Sequence, residues 1–311
     1  MKDPHVVVAG AGAMGCLFGG LLAERGLRVT LLMRSEERAA AIRERGLVIV
    51  GEGGERSVPL RATTEPGAVA PADLVLVQSK AHATRAVSQI VAPLMAPGAL
   101  AVSFQNGLGN EEIIAEAMGS GAVLGGLTSL GATMEAPGVV RNYAALPTLI
   151  GEMSGGVSPR AEALAALLTA HGIPTEASAS ILTEKWRKLM LNVAMSATSG
   201  LTGLTIGGVA GLPPLALVAR RAMDEAAAVA LACGVDLPPE TRYRTFDGIV
   251  ASGAARNKTS MRRDIEAGRP SEVEAIYGSV IERGRAKGVP TPTLEALAAL
   301  MLGLEQSRKE S

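Results

Sequence analysis

A short apolar run that leads into a glycine-rich turn is the feature that most restricts how this chain can fold. The run from His5 to Ala9 has the length of one buried strand, and Gly10-Ala11-Gly12-Ala13-Met14-Gly15 follows it at once. In a GxGxxG pattern the first glycine permits a tight turn, the second lets the backbone approach a pyrophosphate, and the third lets a helix pack on the strand. We therefore predict a dinucleotide-binding turn between a strand and a helix. A glycine turn with a purely structural role is the alternative.

Strand-like runs alternate with helical stretches through the first half of the chain. Four more runs follow the first: Arg28 to Met33, Leu74 to Gln78, Leu100 to Phe104 and Val123 to Thr128. This alternation is typical of a parallel sheet covered by helices. Short strands near 46–60 and 128–151 resemble hairpins that would give the sheet a mixed edge, and 173–176 is a candidate last strand. We predict an α/β chain whose N-terminal part is a Rossmann-type doubly wound sheet.

Only helical segments, separated by Gly and Pro, follow residue 178. The predicted helices cover residues 181–200, 213–233, 239–253, 271–287 and 293–309. The change of pattern predicts two domains. A dinucleotide-binding Rossmann domain would span residues 1–178, and an all-helical C-terminal domain with substrate-binding and catalytic residues would span residues 179–311.

Charge and cysteine content restrict the class of partner. Basic and acidic residues number 30 each, so the surface has no overall field that would favour nucleic acid or an acidic membrane, and a small-molecule partner is favoured. Cys16 and Cys233 are too few and too far apart for a metal site or a disulfide framework. No apolar run reaches the roughly 18 residues of a membrane span, and the first run does not resemble a signal peptide. We expect a soluble, cytoplasmic protein without a metal.

The end of the second strand indicates which dinucleotide binds. An NAD enzyme normally places an acidic residue there for the ribose hydroxyls, whereas this strand ends in Arg34-Ser35. A cation and a hydroxyl suit a 2′-phosphate, so we predict NADPH/NADP+ as the cofactor. Arg34 as a solvated surface residue is the alternative, and the nearby Glu36 and Glu37 leave strict NADP preference open.

Two loops carry polar residues directly after predicted strands. They are Gln78-Ser79-Lys80-Ala81 and Phe104-Gln105-Asn106-Gly107. In a doubly wound sheet such loops lie at the carboxyl ends of the strands, where ligands bind. Both loops are therefore candidates for contacts with nicotinamide or substrate, and ordinary exposed loops are the alternative.

One predicted helix carries a polar stripe with few charges. Lys188, Asn192, Ser196 and Ser199 share this stripe, while apolar residues cover the other side. Reduction of a carbonyl requires a proton for the oxygen, and a lysine can supply it while stabilising the developing negative charge. Lys188 is therefore the candidate general acid, with its pKa lowered by burial, and Asn192 one turn away could fix the substrate oxygen. An amphipathic surface helix is the alternative.

Polar groups also precede the helix predicted at 271–287. Ser271 and Glu274 have the spacing of a capping box, which predicts a structural role for Glu274. Glu272 lies outside that box, and a favourable interaction with the helix dipole is its alternative role. The hydroxyl of Ser260 could bind a carboxylate, although spacing alone identifies it only as a loop serine.

Along essentially its whole length, the sequence resembles the ketopantoate reductases, also called 2-dehydropantoate 2-reductases. Seven segments carry the resemblance: GAGAMG at 10–15, SKA at 79–81, QNG at 105–107, PGVVR at 137–141, KWRKLMLN at 185–192, SMRRDIEAGRPSEVE at 260–274 and GVPTPT at 288–293. The resemblance implies NADPH-dependent reduction of 2-dehydropantoate to (R)-pantoate, a step of pantothenate and coenzyme A biosynthesis.

The resemblance also implies roles for single residues. Lys188 matches the general acid of the family, and Asn106 and Asn192 match residues that position cofactor and substrate. Ser260 matches the contact to the substrate carboxylate, and Glu272 matches the acidic active-site residue. The family's basic residues beside NADP correspond to Arg34 and Lys80.

One departure from the family pattern keeps other functions open. Family members that act on pantoate commonly carry a second Asn one turn after the first, and this chain has Ser196 there. A reductase of another bulky 2-oxo acid is therefore the second hypothesis, with Ser196 as a substrate contact. A redox-sensing NADP-binding protein without turnover is the third, and Lys188 argues against it because a pure binder needs no proton donor. The sequence leaves open whether the chain forms a homodimer.

Overall fold

The computed structural model describes residues 4–144, 147–250 and 253–310. Its contacts divide the chain into two compact units: Met1–Gln105 with Asn110–Ile181, and Asn106–Gly109 with Leu182–Ser311. The short segment Asn106–Gly109 thus belongs to the second unit, which the sequence pattern did not indicate. We retain residues 1–178 and 179–311 as the proposed domains.

An eight-stranded sheet forms the centre of the first unit. Its strands lie in the order β12-β11-β8-β7-β6-β1-β2-β5. They are β1 (His5–Ala9), β2 (Arg28–Leu32), β5 (Arg61–Thr63), β6 (Ala72–Val77), β7 (Met95–Ser103), β8 (Val123–Thr128), β11 (Thr148–Gly151) and β12 (Thr175–Ala177). In the sheet order from β8 through β7, β6, β1 and β2 to β5, each strand is parallel to its neighbours. The order runs outward in both directions from the adjacent β1 and β6. The predicted doubly wound sheet is confirmed.

Both faces of this sheet are buried. Val6 and Val8 of β1 belong to one hydrophobic core, and Val7 and Ala9 belong to another. Because alternate residues of a strand point to opposite faces, a strand covered on both sides must be apolar throughout. Five helices accompany the strands along the described part of this unit: α1 (Ala13–Glu24), α2 (Glu36–Arg45), α3 (Thr84–Val91), α4 (Asn110–Met118) and α5 (Pro159–Ala170).

Most strands of the two predicted hairpin regions form a separate sheet. This four-stranded sheet has the order β4-β3-β10-β9. Its strands are β3 (Leu47–Gly51), β4 (Gly54–Val58), β9 (Gly131–Ala136) and β10 (Val139–Ala144). The last strand of the predicted region 128–151, β11, belongs to the main sheet and makes it mixed, because β11 is antiparallel to β8. Residues 145 and 146 of the predicted hairpin region lie outside the described residues.

Helix α1 explains why a second sheet is needed. Its middle, from Gly15 to Leu22, is buried throughout, so one sheet cannot cover it. A Cβ atom built on Gly19 would lie 2.5 Å from Leu31 of the main sheet, and one on Gly20 would lie 2.7 Å from Leu47 of the second sheet. The helix is therefore packed between the two sheets, with small residues at both contacts.

In the described residues of 182–310, the secondary structure of the second unit consists of helices joined by loops, without a strand. Its helices are α6 (Ile181–Thr202), α7 (Ile206–Gly211), α8 (Pro213–Ala232), α9 (Pro239–Val250), α10 (Ser260–Glu266), α11 (Ser279–Lys287) and α12 (Pro292–Glu310). A π-helical turn, Glu274–Gly278, precedes α11 where the sequence predicted one continuous helix. Positions 251 and 252 of the predicted helix 239–253 lie outside the described residues.

The core of the second unit surrounds two large aromatic side chains, Trp186 of α6 and Tyr277 of the π-helical turn. Alanine and methionine residues of α6 and α8 fill much of the remaining space, among them Met190 and Met223. Among the described residues, no helix is both long and apolar enough to cross a membrane.

Candidate active site

Two glycines of the turn after β1 are required by the packing of the first unit. Gly10 has φ +80°, and a Cβ atom there would lie 2.7 Å from backbone atoms of Ser79. A Cβ atom on Gly15 would lie 3.0 Å from Val8 and 3.2 Å from Gln78. The loop after β6 and the first turn of α1 can approach β1 closely only because these positions carry no side chain.

Gly12, unlike Gly10 and Gly15, has open space where a side chain would lie. A Cβ atom on Gly12 would meet no protein atom within 4 Å, although Gly12 is the N-cap of α1 and has no side-chain capping bond. The first N–H groups of a helix lack intrahelical acceptors and favour an anion. Ala13 and Met14 belong to this first turn, and Ala11 before it donates its N–H to the carbonyl of Leu32. The turn therefore fits a phosphate group that approaches Gly12.

Gln78 supplies a second sign of a missing polar partner. It is 9% exposed, and its Nε2 atom is buried without a hydrogen-bond partner among the described residues. Its backbone N–H donates to Ala9 at the end of β1, and its Cβ lies beside Gly15. A buried donor without an acceptor is costly, so a ligand acceptor beside the glycine turn would satisfy it.

Gln105 is a residue of this site that the sequence analysis did not single out. Its side-chain Nε2 donates to the carbonyl of Ser79 at 2.6 Å and to the hydroxyl of Thr84 at 2.8 Å, while its Oε1 accepts from Ser103 at 2.8 Å. The network holds the loop after β6 against Gly10. The sequence signal was the polar strand end, which indicated a contact to a ligand but not this structural role.

Arg34 and Lys80 follow β2 and β6, as predicted. Arg34 is exposed, and Lys80 is half-buried. The adjacent Ser35 is the N-cap of α2, and its hydroxyl accepts the N–H of Arg38 at 3.3 Å. That hydroxyl can still donate to a phosphate, so its capping bond is compatible with the predicted role.

Helix α6 of the second unit presents the polar stripe. Trp186, Leu189 and Val193 on its other side are almost completely buried. Lys188 and Asn192 are half-buried, whereas Ser196 is 3% exposed. The stripe therefore has an enclosed end, unlike a surface helix.

Asn106 and Glu272 form a pair within the same unit. The side-chain Nδ2 of Asn106 donates to Oε2 of Glu272 at 3.1 Å. Gly107 has φ +83°, and a Cβ atom there would lie 2.1 Å from the carbonyl oxygen of Ala275. The loop can therefore lie against the segment after Glu272 only because residue 107 is glycine.

Lys188 has the electrostatic environment of a proton donor. Burial, together with the positive charge of Lys185, lowers the pKa of Lys188 to about 8, and the negative charge of Glu272 opposes both effects. Lys185 itself is 4% exposed. A lysine whose pKa lies near the working pH can be protonated and still release its proton readily.

The segment before the π-helical turn differs from the predicted capping box. The N–H of Ser271 donates to Glu305 of α12 at 2.9 Å, and the hydroxyl of Ser271 accepts from Val273 at 3.3 Å. Glu274 is exposed. The spacing that predicted the capping box was not sufficient. In a capping box Glu274 would accept the N–H of Ser271, and here Glu305 accepts it instead.

Ser260, a predicted contact of the substrate carboxylate, is exposed at the first position of α10, and no contact in the described structure brings it to Lys188. Tyr277 was not predicted: its hydroxyl donates to the carbonyl of Val193 and accepts the N–H of Ala197 in α6. Its position in the sequence carried no signal beyond the scarcity of aromatic residues.

Two family comparisons cover most of the chain. Residues 6–155 match the family described as Ketopantoate reductase PanE/ApbA, and residues 180–305 match its C-terminal part. The chain belongs to the ketopantoate reductase family. This membership confirms the resemblance drawn from the motifs and makes the chain a member of an oxidoreductase family.

Individual members of the family align over nearly their full length. A 2-dehydropantoate 2-reductase of Halobacterium salinarum is 36% identical over 298 residues, which is 96% of this chain and 97% of the relative. One of Archaeoglobus fulgidus is 33% identical over 306 residues, covering 98% and 99% of the two chains. The crystal structure of a PanE/ApbA family ketopantoate reductase from Ralstonia eutropha JMP134 superposes with a TM-score of 0.90 at 31% identity, covering 98% and 99%. The fold is thus that of the family.

Proposed function

We propose that this protein reduces 2-dehydropantoate to (R)-pantoate with NADPH, in the biosynthesis of pantothenate and coenzyme A. The observation that carries the proposal is the environment of Lys188, whose pKa burial lowers to about 8 beside Glu272. The names of the two archaeal relatives, both 2-dehydropantoate 2-reductases, support the choice of substrate.

Lys188 is the proposed general acid. As C2 of the 2-oxo acid becomes tetrahedral, its carbonyl oxygen gains negative charge and needs a proton. With a pKa of about 8, most Lys188 side chains carry that proton at neutral pH. The negative charge of Glu272 favours the protonated form, so the carboxylate keeps the donor charged until transfer.

Five other side chains are proposed to hold the substrate. Their polar groups suit a molecule with one carboxylate, one carbonyl and one hydroxyl. Two of them lie on the polar stripe of α6, two form the hydrogen-bonded pair, and Ser260 is proposed from the family resemblance alone. They are Asn106, Asn192, Ser196, Ser260 and Glu272. Asn106 and Glu272 are joined by their hydrogen bond, which fixes the orientation of both groups.

The glycine turn is the proposed cofactor site. Gly10, Ala11, Gly12, Ala13, Met14 and Gly15 form this turn, and Arg34, Lys80, Asn106 and Glu272 are the further proposed contacts. The open space at Gly12 and the orphaned Nε2 of Gln78 support the binding of a dinucleotide. The exposed cation Arg34 supports NADPH over NADH. When bound, NADPH supplies the hydride for C2.

The test is NADPH oxidation, followed by absorbance, with 2-dehydropantoate and a panel of other 2-oxo acids. Lys188→Met keeps the length of the side chain and removes the proton donor, so we expect kcat/KM to fall by about 100-fold or more. Lys287→Met, at the exposed end of α11, is the matched control and should leave the rate unchanged. Equal rates for the two variants would contradict the assignment of Lys188.

Ser196 favours a second candidate, the reduction of a different bulky 2-oxo acid. Ser196 is almost completely buried, and its side chain is shorter than the Asn common in relatives that act on pantoate. A preference for another acid over 2-dehydropantoate, reversed in Ser196→Asn, would support this alternative. If NADPH binds tightly and no acid is reduced, the chain is a sensor.

A further inference from the structure

The hydroxyl of Tyr277 bonds to two backbone groups of α6 that lie one helical turn apart. The N–H of Ala197 donates to the Tyr277 hydroxyl at 2.9 Å, and that hydroxyl donates to the carbonyl of Val193 at 2.8 Å. One oxygen atom of a distant side chain therefore bridges two backbone groups of the helix.

These two bonds lie within the polar stripe. The Tyr277 hydroxyl is 3.4 Å from the carbonyl oxygen of Asn192, and Ser196 directly precedes the N–H that it accepts. The hydroxyl therefore holds the turn of α6 that carries both Asn192 and Ser196.

Tyr277 is well suited to a fixed role. Its side chain is completely buried, and burial raises the pKa of Tyr277 above its usual range, so the hydroxyl stays protonated and keeps both of its bonds. No charge or substrate contact is needed to explain its burial, because both hydrogen-bonding functions are satisfied by α6.

The π-helical turn that carries Tyr277 contacts other parts of the same site. The N–H of Ile276 donates to the carbonyl of Glu272 at 3.0 Å. The carbonyl of Ala275 accepts from Leu108 at 3.4 Å and lies against Gly107. The extra residue of a π-helical turn shifts the side chains that follow it, and such turns are frequent at functional sites. One turn thus connects Glu272, the Asn106 loop and α6.

We propose that Tyr277 is a positioning residue whose hydroxyl sets the spacing of Asn192 and Ser196 for the bound 2-oxo acid. The inference rests on the proposed function, because it assigns these two side chains to the substrate. Without the hydroxyl, the carbonyl of Val193 and the N–H of Ala197 lose the partner that holds this turn of α6 to residue 277. Ser196 is then free to shift relative to Asn192, while the glycine turn of the first unit is unaltered.

The experiment compares Tyr277→Phe with Tyr243→Phe in the full chain. Tyr243 is the matched control, because it belongs to α9 of the same unit and its hydroxyl bonds to the exposed Asp224. KM and kcat are measured for the best substrate of the panel, together with the Kd of NADPH, the Tm and the pH profile. Hydrogen exchange of peptides that cover residues 190–200 is followed without substrate.

The expected result is a specific loss of substrate affinity. In Tyr277→Phe, KM should rise by about 10- to 100-fold, as for a small misplacement of binding groups. The Kd of NADPH and the pKa of the pH profile should stay at wild-type values, and Tyr243→Phe should behave as wild type. An unchanged KM, with activity lost only in proportion to unfolded protein, would show a merely structural role and overturn the proposal.

Two further measurements distinguish misfolding of the variant and failure of the proposed function from failure of this inference. If Tyr277→Phe does not fold, 4-aminophenylalanine at position 277 keeps a donor for Val193 and weakens the acceptor for Ala197, and the same rise in KM is expected. If wild type reduces no 2-oxo acid, the proposed function fails on its own, and the assignment of Asn192 and Ser196 to the substrate fails with it. Hydrogen exchange then decides whether the hydroxyl fixes this part of α6: that part of the inference stands if exchange over 190–200 changes at least about tenfold in Tyr277→Phe alone, and it falls if exchange is unchanged.

Discussion

The side-chain amide of Asn106 donates a 3.1 Å hydrogen bond to the carboxylate of Glu272, although 166 positions separate them along the chain. The contact depends on Gly107, whose lack of a side chain lets the loop lie against Ala275. Because the charge of Glu272 acts on Lys188, the amide also helps to place the charge that favours the protonated lysine. A loop residue thus influences the proposed acid through the carboxylate.

Substitution of Asn106 should therefore impair turnover. In Asn106→Ala the carboxylate of Glu272 loses one donor, and a hydrogen bond to a charged group contributes about 1.5–3 kcal/mol. We expect kcat/KM for 2-dehydropantoate to fall by about 10- to 100-fold. Asn257→Ala is the control, since Asn257 is exposed and contributes its backbone carbonyl to the bond with Ile206. Equal steady-state kinetics of the two variants would refute the role of Asn106.

The rate of reduction should depend on the protonation of Lys188. Burial lowers the pKa of Lys188 to about 8, and the protonated form is the one that donates. Activity in the direction of reduction is therefore present below pH 8 and is lost as the pH rises through that value. The oxidation of pantoate needs the neutral lysine as base and should rise over the same range. A profile of kcat/KM against pH, measured for reduction and for oxidation, checks this. If kcat/KM changed in the same direction with pH for both reactions, the assignment would be contradicted.

Two neighbouring charges should move that pKa in opposite directions. The positive charge of Lys185 lowers the pKa of Lys188, and the negative charge of Glu272 raises it. Lys185→Met should therefore shift the basic limb of the reduction profile to higher pH, and Glu272→Gln should shift it to lower pH. The sign of each shift is the measured quantity, so a loss of overall rate does not obscure it. Shifts of the same sign in both variants would show that another group titrates.

Local patterns were sufficient to predict the main sheet. The central strands are dominated by apolar runs, as β1 is from Val6 to Ala9, and such runs can be recognised without knowing their neighbours. The second sheet could not be predicted in this way, because its need arises from α1. That helix is apolar all round and must be covered on two sides, which is a property of packing rather than of the hairpin sequences.

In the candidate site, too, only residues with a local sequence signal could be predicted. Lys188 and Asn192 could be proposed because helical periodicity places them on one stripe, and the segments shared with the family supplied roles for Asn106 and Glu272. The structural role of Gln105, which lies in a predicted ligand loop, and that of Tyr277 could not be predicted, because each acts through backbone groups of residues far away in sequence. The capping box failed for the same reason: Ser271 bonds to Glu305, which is 34 positions away.

Arg34 should decide the preference for NADPH over NADH. The acidic residue nearest to it, Glu36, is bound to Arg43 and Thr64, and its bond to Arg43 holds the pKa of Glu36 below its usual range. Glu36 is thus engaged, which leaves Arg34 to act on a 2′-phosphate. Arg34→Ala should raise the KM of NADPH by about 10-fold or more and leave that of NADH unchanged. Arg45→Ala, at the other end of α2, is the control, and an unchanged ratio of the two cofactors in Arg34→Ala would exclude the assignment.

Gly10 and Gly12 should respond to the same substitution in different ways, because only one of them is surrounded by protein. In Gly10→Ala the new Cβ lies 2.7 Å from the backbone of Ser79 at φ +80°. The left-handed conformation alone costs about 1–2 kcal/mol, and the contact adds to it, so the Tm without cofactor should fall. In Gly12→Ala the Cβ meets no protein atom within 4 Å, so the Tm should match wild type. Its methyl group would instead occupy the approach to the helix N-terminus, and the Kd of NADPH, measured by fluorescence titration, should rise by about 10-fold or more. A Gly12→Ala variant that binds NADPH as wild type does would show that the turn has a structural role only.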